Sequence, residues 1–551
     1  MLPVRAMIRS ASLFSKWLVV VLVVLAAIAI PIQRVFVGDF RIDDAYITFE
    51  FSRNLAAGNG LNYGAGQLVE GYSNFLWMIL AVPLEMLSVD VYLGMRHLAW
   101  GFWLALVWVV ASAARREAGA LAAVLATVAI VVSTDLVSAS QSALETVPFC
   151  ALVLGSIVAV TSENIRLRRW ASLVGAAAGL MRIDGFLVLA FVVTFDLATS
   201  MLERKAPVAN ELRAWVRRAA PGVAVLLAYW AFRIGYYGHL LPSTVRAKEL
   251  IAQLNPGRGA SQVHDAVRAL GLLALLPLAG LALARPTRLR VAAALFVVAQ
   301  TAYATRVGGD WMPFWRFLLP GLVPLYLLSA LGAAQLVSNA RKRGPAHWRC
   351  AVAVVVAAFG FHVAHADART LQTPIEQSQR QAARQTKEHT ARLLEARGHV
   401  AAMIRDPKDV LVTDYGGVHA YYVRATIIEQ WGLANWSIAT RGDTQGVASI
   451  YGKTCIPCYG EFAVDYLYAQ VAKGGLLTDT DPFGSRDAVI RAVFQGEALD
   501  PVLGLKTGFV VGRVTDSAGK SLYFLERKRP ERPLSARKQG VFTIEYPYGD
   551  G

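Results

Sequence analysis

Asp43-Asp44-Ala45-Tyr46 stands just beyond an uncharged run from Trp17 to Ile32, and that juxtaposition sets the reading of the whole chain. The run has the length and composition of a segment that crosses hydrocarbon. Arg5, Arg9 and Lys16 precede it. Short cytoplasmic segments collect Lys and Arg, so the amino end is expected inside and the acid pair outside. Two adjacent carboxylates at a membrane exit point to chemistry on a lipid-bound substrate. Ala27-Ile28-Ala29 imitates a signal cleavage site, but the apolar stretch is long for a signal core and a polytopic body follows it, so the first span is expected to stay.

Of the 551 residues, 55% are hydrophobic and 17% charged, which is the composition of a membrane protein. The 55 Lys and Arg exceed the 39 Asp and Glu to give +16, yet the excess sits in clusters between apolar runs and lacks the aromatic interleaving of a nucleic-acid groove. The basicity is topological, and no nucleic-acid partner is expected. Arg115 and Arg116 form the next cluster. They lie inside if Phe75 to Leu87, interrupted by Pro83 and Glu85, rests on or dips into the outer leaflet and Arg96 to Ala114 is the second span. Further clusters recur every two spans, at Arg166, Arg168 and Arg169, at Arg204 to Arg218, at Arg285 to Arg290 and at Arg341 to Arg343. About eleven spans result, with a first outer loop at 33–95 and the carboxyl end outside. The expected location is a bacterial inner membrane.

With that topology every polar motif is expected on the outer side: Asp43 to Glu50, Glu70 to Asn74, Ser142 to Thr146, Arg182 to Asp184, Tyr236 to Lys248, and Gly308 to Arg316. Ionisable groups at span ends are costly unless they face a wet cavity or a partner, so a shared polar pocket is expected. The span interiors lack the buried charge pairs and paired Gly and Pro breaks of an alternating-access site. A lipid or polysaccharide transporter with an outer sensing domain is therefore the weaker alternative. Residues 1–365 form the membrane domain. Residues 366–551 form an outer α/β domain of roughly 185 residues, long enough for a core of its own. Within it Thr373 to Ile404 reads as a long helix, and Asp409 to Thr413 and Thr426 to Glu429 read as strands around a Val418 to Val423 helix.

The ordered pieces resemble the GT-C glycosyltransferases, and among these the terminal arabinofuranosyltransferases of mycobacterial cell-wall arabinan. The pieces are Asp43-Asp44-Ala45-Tyr46, Arg53 to Gly60, Val69-Glu70, Ser142 to Glu145, Arg182-Ile183-Asp184, Tyr236-Tyr237-Gly238, Pro242-Ser243-Thr244, Ala247-Lys248, Gly308-Gly309-Asp310 and Glu429 to Asn435. The resemblance implies a polytopic α-helical GT-C fold and an inverting transfer of a sugar, D-arabinofuranose in the nearest group, from a polyprenyl-phosphate donor. The acceptor is a glycan or protein on the outer side, and membrane lipid is a further partner. Mannosyl or aminoarabinosyl transfer keeps the same mechanism with another sugar. The resemblance also makes the first acid of the pair, Asp43, the base.

Transfer from a sugar phosphate lipid needs one base for the acceptor hydroxyl, while phosphate leaves without a strong acid. Adjacent acids raise each other's pKa unless a cation compensates, so Asp44 is placed either to hold a divalent cation or to bind acceptor hydroxyls. The plain alternative is that one of them caps a helix beginning near Ala45. Arg53, Arg182, Lys248 and Arg316 are the expected phosphate-binding cations, against the alternative of snorkelling or pairing with carboxylates. Glu70, Glu145, Tyr236, Tyr237, His239, Asp310 and Trp311 are the expected substrate contacts, the aromatic ones against an aromatic-belt role. Cys455 and Cys458 are too few for a tetrahedral metal site and are expected to form a disulfide. No metal ligand set other than Asp44 is expected, and no cofactor beyond such a cation.

Overall fold

The computed structural model describes residues 2–429, apart from 38–39, 204–205, 255–256, 311, 313, 367–373 and 414–415. Beyond 429 it describes 433–434, 448–449, 452–453, 466–468, 509–519, 521–527, 532 and 534–546. Cys455 and Cys458 lie outside the described residues, as does Trp311.

The chain opens with α1 (Leu2–Val37), α2 (Asp43–Ala56), α3 (Phe75–Met86), α4 (Val91–Val132), α5 (Thr134–Gln141) and α6 (Thr146–Val160). It continues with α7 (Ile165–Met181), α8 (Gly185–Leu202), α9 (Val208–Tyr237), α10 (Ser243–Leu254) and α11 (Arg258–Leu270). A short 3-10 turn, Gly271–Leu275, leads to α12 (Leu276–Leu283), α13 (Arg288–Arg306), α14 (Leu319–Arg343) and α15 (Pro345–Ala366).

Six helices among the described residues are long and apolar enough to cross a membrane, within α1, α4, α8, α9, the Arg258–Leu283 stretch and α14. The protein is a multi-pass membrane protein. Six is fewer than the eleven spans expected, because α3 and α6 are apolar but short and α7 and α13 carry several arginines. The 42 residues of α4 are two helices broken at Gly119, whose φ of 85° only glycine adopts without strain. That break falls just after Arg115 and Arg116, where the sequence placed a turn between spans. The 12 residues of α3 reach about 18 Å, short of a bilayer's hydrocarbon, as expected of a segment that does not cross.

Charge is sorted to the two ends of these helices. At one end of α7, α8 and α9 the buried Asp196 takes Arg168 at 2.5 Å and Arg218 at 2.8 Å. At the opposite end of α7 and α8 lie Arg182 and Asp184, bonded to each other at 2.9 Å. Between these polar layers the core is Ala, Val, Leu and Phe, with Trp77 and Trp103 fully buried. In apolar surroundings each end ion must find a partner, and here the ends of neighbouring helices supply it.

The carboxy-terminal portion begins with α16 (Pro374–Met403), then β1 (Val410–Thr413), α17 (Gly416–Tyr422) and β2 (Thr426–Glu429). These match the helix, strand, helix and strand read from the sequence. The strands β3 (Ala448–Ser449), β4 (Gly452–Lys453), β5 (Tyr466–Tyr468), β6 (Phe509–Thr515), β7 (Ser521–Arg527), β8 (Arg537–Gln539) and β9 (Phe542–Glu545) follow. Among the described residues seven of the strands form one sheet in the order β2-β1-β5-β7-β6-β9-β8, and β3 pairs with β4 in a second. β1 is parallel to β2 and β5, while β7, β6, β9 and β8 are antiparallel neighbours. The core beneath this sheet is continuous with α2 and the loop between α2 and α3. Val400, Leu411, Val423, Ile427 and Phe524 pack in one cluster with Ile47 and Phe51 of α2 and with Tyr63 and Tyr72.

Candidate active site

The helix α2 begins at Asp43 itself, with Ile42 as an extended N-cap that makes no side-chain cap bond. Neither acid of the pair is therefore the cap. Both occupy the first turn, where negative charge is favoured by the helix dipole. Successive residues of a helix point about 100° apart, so the two carboxylates look in different directions.

Asp43 turns toward the carboxy-terminal portion. Its Oδ2 accepts the main-chain N–H of Gly417 at 2.9 Å and its Oδ1 accepts that of Val418 at 2.7 Å. The residue is only 4% exposed. Burial pushes its carboxyl up to about 7 against the two N–H groups, which pull it down, and Asp44 adds a further rise.

Asp44 turns toward a cluster of charges, and its side chain keeps 20% exposure. Arg316 Nη1 lies 4.0 Å from Asp44 Oδ2, Arg316 Nη2 donates to Glu145 Oε1 at 2.7 Å, and Arg316 Nε lies 3.9 Å from Asp310 Oδ2. Arg182 donates to both oxygens of Asp184, at 2.9 and 3.0 Å, and reaches Glu145 at 3.4 Å. The amide of Asn74 donates to the other Glu145 oxygen at 2.9 Å. Burial raises the Asp44 carboxyl, opposed by Arg316 and Lys248 and reinforced by Asp310 and Glu145. Burial also opposes ionisation of Glu145, but Arg316, Arg182 and Asn74 outweigh it and hold that carboxyl down at about 2. Lys248 has its ammonium over the Phe317 ring, 5.2 Å from the centroid, and makes no ion pair among the described residues. Burial lowers its pKa, Asp310 and Asp44 raise it, and Arg316 and Arg182 lower it again.

The loops that deliver these groups are held in unusual backbone. Ala143, two residues before Glu145, has φ 56°, and Phe314 and Trp315, just before Arg316, have φ 69° and 44°. Left-handed non-glycine residues cost about 1–3 kcal/mol each and persist where surroundings enforce them. Trp77 Nε1 donates to the Ala143 carbonyl at 2.9 Å. Arg258 and Gln262 of α11 donate to the Asp310 carbonyl at 2.9 and 2.6 Å, so α11 fixes the second loop.

Of the residues expected at a site, Asp44, Glu145, Arg182, Lys248, Asp310 and Arg316 are brought together. Others are engaged elsewhere. Glu70 is bound by buried Arg233 at 2.8 Å and by Tyr229 at 3.3 Å. Tyr236 accepts the Leu61 N–H at 3.0 Å and Tyr237 donates to the Leu61 carbonyl at 3.1 Å, so both rings brace the loop between α2 and α3. Arg53 donates to the carbonyls of Ala420 and Tyr421 and pairs with Glu50 at 2.6 Å. His239 follows the end of α9, half-buried. The N–H groups of Gly417 and Val418 were invisible to residue-type reasoning, because main-chain donors carry no signature. Among the described residues no three Asp, Glu, His or Cys side chains group as a cation site needs. The point between Asp44, Glu145 and Asp310 is held by a guanidinium, so the residues there do not form a divalent-cation cradle.

The helical membrane body and the sheet-bearing carboxy-terminal portion together have a GT-C fold, shared with solved structures. The archaeal oligosaccharyltransferase AglB from Archaeoglobus fulgidus, solved with an inhibitory peptide and a dolichol-phosphate, matches over 95% of this chain and 75% of its own, at 12% identity and TM-score 0.53. The mycobacterial arabinofuranosyltransferase AftD matches over 93% of this chain at 15% identity and TM-score 0.50, and the match spans 41% of AftD. ArnT from Cupriavidus metallidurans bound to undecaprenyl phosphate matches over 75% of this chain and 86% of its own, at 16% identity and TM-score 0.44. No family model and no curated protein matches the sequence.

Proposed function

We propose that this protein is an inverting glycosyltransferase that moves a sugar from a polyprenyl-phosphate donor to a glycan or protein acceptor on the outer side of a bacterial inner membrane. The observation that carries the reading is the placement of Asp44. It is the carboxylate that keeps some exposure, faces Arg316 and feels the charge of Lys248, whose ammonium makes no ion pair among the described residues. A base and an anion-binding cation side by side suit a reaction that deprotonates a hydroxyl and releases a phosphate.

In this reading the acceptor O–H gives its proton to the Asp44 carboxylate as its oxygen attacks the anomeric carbon. The bond from that carbon to the phosphate oxygen breaks on the opposite face, and its electron pair leaves with the lipid phosphate. Lys248 and Arg316 meet the charge that develops there. We assign the base to Asp44, not to Asp43 as the resemblance suggests, because both oxygens of Asp43 are occupied by N–H groups and the residue is buried. Glu145 and Asp310 hold Arg316, and Arg182 with Asp184 holds Glu145.

D-arabinofuranose is the proposed sugar, supported by the sequence resemblance to terminal arabinofuranosyltransferases and by the fold shared with AftD. The outward orientation of the site is proposed from the distribution of Lys and Arg. The test is to extract the lipid that copurifies with the protein and identify it by mass spectrometry. A polyprenyl-phosphate pentose is expected; a polyprenyl-phosphate hexose or aminosugar would replace the sugar, and absence of any polyprenyl phosphate would overturn the reading.

A further inference from the structure

The contact between Asp43 and the Gly416-Gly417-Val418 corner joins the head of α2 to a segment more than 370 residues away in sequence. The corner is fixed from several sides. Tyr63 of the first outer loop donates to the Gly416 carbonyl at 2.5 Å. The neighbouring main chain of that loop runs along β2, with Ala65 N–H donating to the Ala425 carbonyl at 3.1 Å and Gln67 Oε1 accepting from Ile427 N–H at 3.1 Å. Farther along α17, Arg53 holds the Ala420 and Tyr421 carbonyls, and Tyr421 donates its hydroxyl to Glu85 at 3.0 Å. From the other face Thr413 Oγ1 and His419 Nδ1 share a hydrogen bond of 2.8 Å.

Gly417 is required by this fit. A Cβ there would stand 1.9 Å from the Asp43 carbonyl oxygen and 2.9 Å from its carboxyl carbon. No side chain larger than hydrogen leaves the Gly417 N–H within reach of Asp43.

We infer that Gly417 and Val418 are positioning residues for the acid pair, gripping Asp43 through their main-chain N–H groups so that Asp44 alone faces the cationic cluster. The physical need is plain. Two carboxylates on consecutive residues repel each other, and both would turn toward Lys248 and Arg316 if neither had another partner. Two hydrogen bonds to one of them settle which carboxylate is which, and they make the outer portion a working part of the site rather than an appendage. The inference rests on the reading of Asp44 as the working carboxylate.

The test reads carboxyl reactivity and requires no donor or acceptor, so it is decided whether or not sugar transfer is found. Full-length protein in detergent micelles is treated with a water-soluble carbodiimide and glycinamide between pH 4.5 and 8. Coupling at residues 43 and 44 is separated by fragment-ion mass spectrometry. In the wild type Asp44 couples and Asp43 is protected. Val418→Pro deletes one donor in the first turn of a helix, where proline is tolerated. Gly417→Ala forces the corner off Asp43. In either variant Asp43 coupling rises about tenfold, the equivalent of one hydrogen bond to a charged group, and the Asp44 titration midpoint moves because its neighbour has turned. Equal coupling of Asp43 and Asp44 in the wild type overturns the inference. So does an unmoved Asp44 midpoint in both variants. If Gly417→Ala does not yield a monodisperse protein, Val418→Pro decides alone.

Discussion

Arg316 Nη2 lies 2.7 Å from Glu145 Oε1, with the glutamate fully buried and the guanidinium nearly so. The same guanidinium stands 4.0 Å from Asp44 and 3.9 Å from Asp310. One cation thus sits among three carboxylates delivered by three separate segments, the head of α2, the turn before α6 and the loop between α13 and α14. The pair with Glu145 makes it a fixture, while Asp44 and Asp310 are approached at longer distance.

The Glu145 carboxyl is held at about 2, below its ordinary 4.5. A depressed folded-state pKa contributes stability that is fully present above the unfolded value and fades as the pH falls through the window from about 4.5 to 2. The melting temperature in detergent should therefore fall with acid over that window. Glu145→Gln should flatten that fall while costing about 3–5 kcal/mol at neutral pH, because it leaves buried guanidiniums without their anion. An unaltered melting temperature in the variant at pH 7 would remove Glu145 from the supporting role assigned to it.

Asp44→Asn should reduce sugar transfer by about a factor of 10²–10⁴, the range of a lost general base, at unchanged melting temperature. Asp43→Asn should lower transfer and melting temperature together, since each of the two N–H groups meets its own oxygen and the amide nitrogen that replaces one oxygen cannot accept. Assay of the two variants in proteoliposomes supplied with a lipid-linked donor separates them. A fully active Asp44→Asn protein would return the base to another group.

Lys248→Met keeps the apolar stem against Phe317 and deletes the ammonium. Binding of undecaprenyl phosphate, followed by intrinsic tryptophan fluorescence, should weaken about tenfold to a hundredfold, as expected for one charge-assisted contact. Unchanged binding would mean that the lipid phosphate lies elsewhere.

Glu70 and Arg233 form a buried pair at 2.8 Å that holds the loop between α2 and α3 against α9. Glu70→Gln should cost about 3–5 kcal/mol of stability by stranding the arginine. Glu70→Gln combined with Arg233→Met should recover most of it, and the undecaprenyl phosphate titration should not move in either. A shift of that titration in the double variant would place Glu70 in the site.

The membrane body was legible because hydrocarbon imposes length and apolarity on each span and because Lys and Arg collect between spans. The start of α2, the helix α16 and the pair β1 and β2 were readable from periodicity and from β-branched runs. The short and arginine-bearing helices α3, α6, α7 and α13 were not countable with confidence from hydropathy, since length and composition describe a helix and not its depth. Charged motifs were also readable as members of one polar face, which is why Glu145, Arg182, Lys248, Asp310 and Arg316 were all expected near Asp44.

Sequence alone established that this chain is polytopic and that an acid pair opens the first helix after the amino-terminal apolar run. Both follow from local chemistry that a bilayer enforces residue by residue. Only the tertiary structure decided which partner each acid meets. Asp43 and Asp44 are identical in kind, and what distinguishes them is that one meets two main-chain N–H groups of a distant corner while the other meets Arg316. Glu70 and Arg53 were withdrawn from the cluster for the same reason: a charge belongs to whichever partner folding brings within hydrogen-bond reach, and sequence spacing does not record that distance.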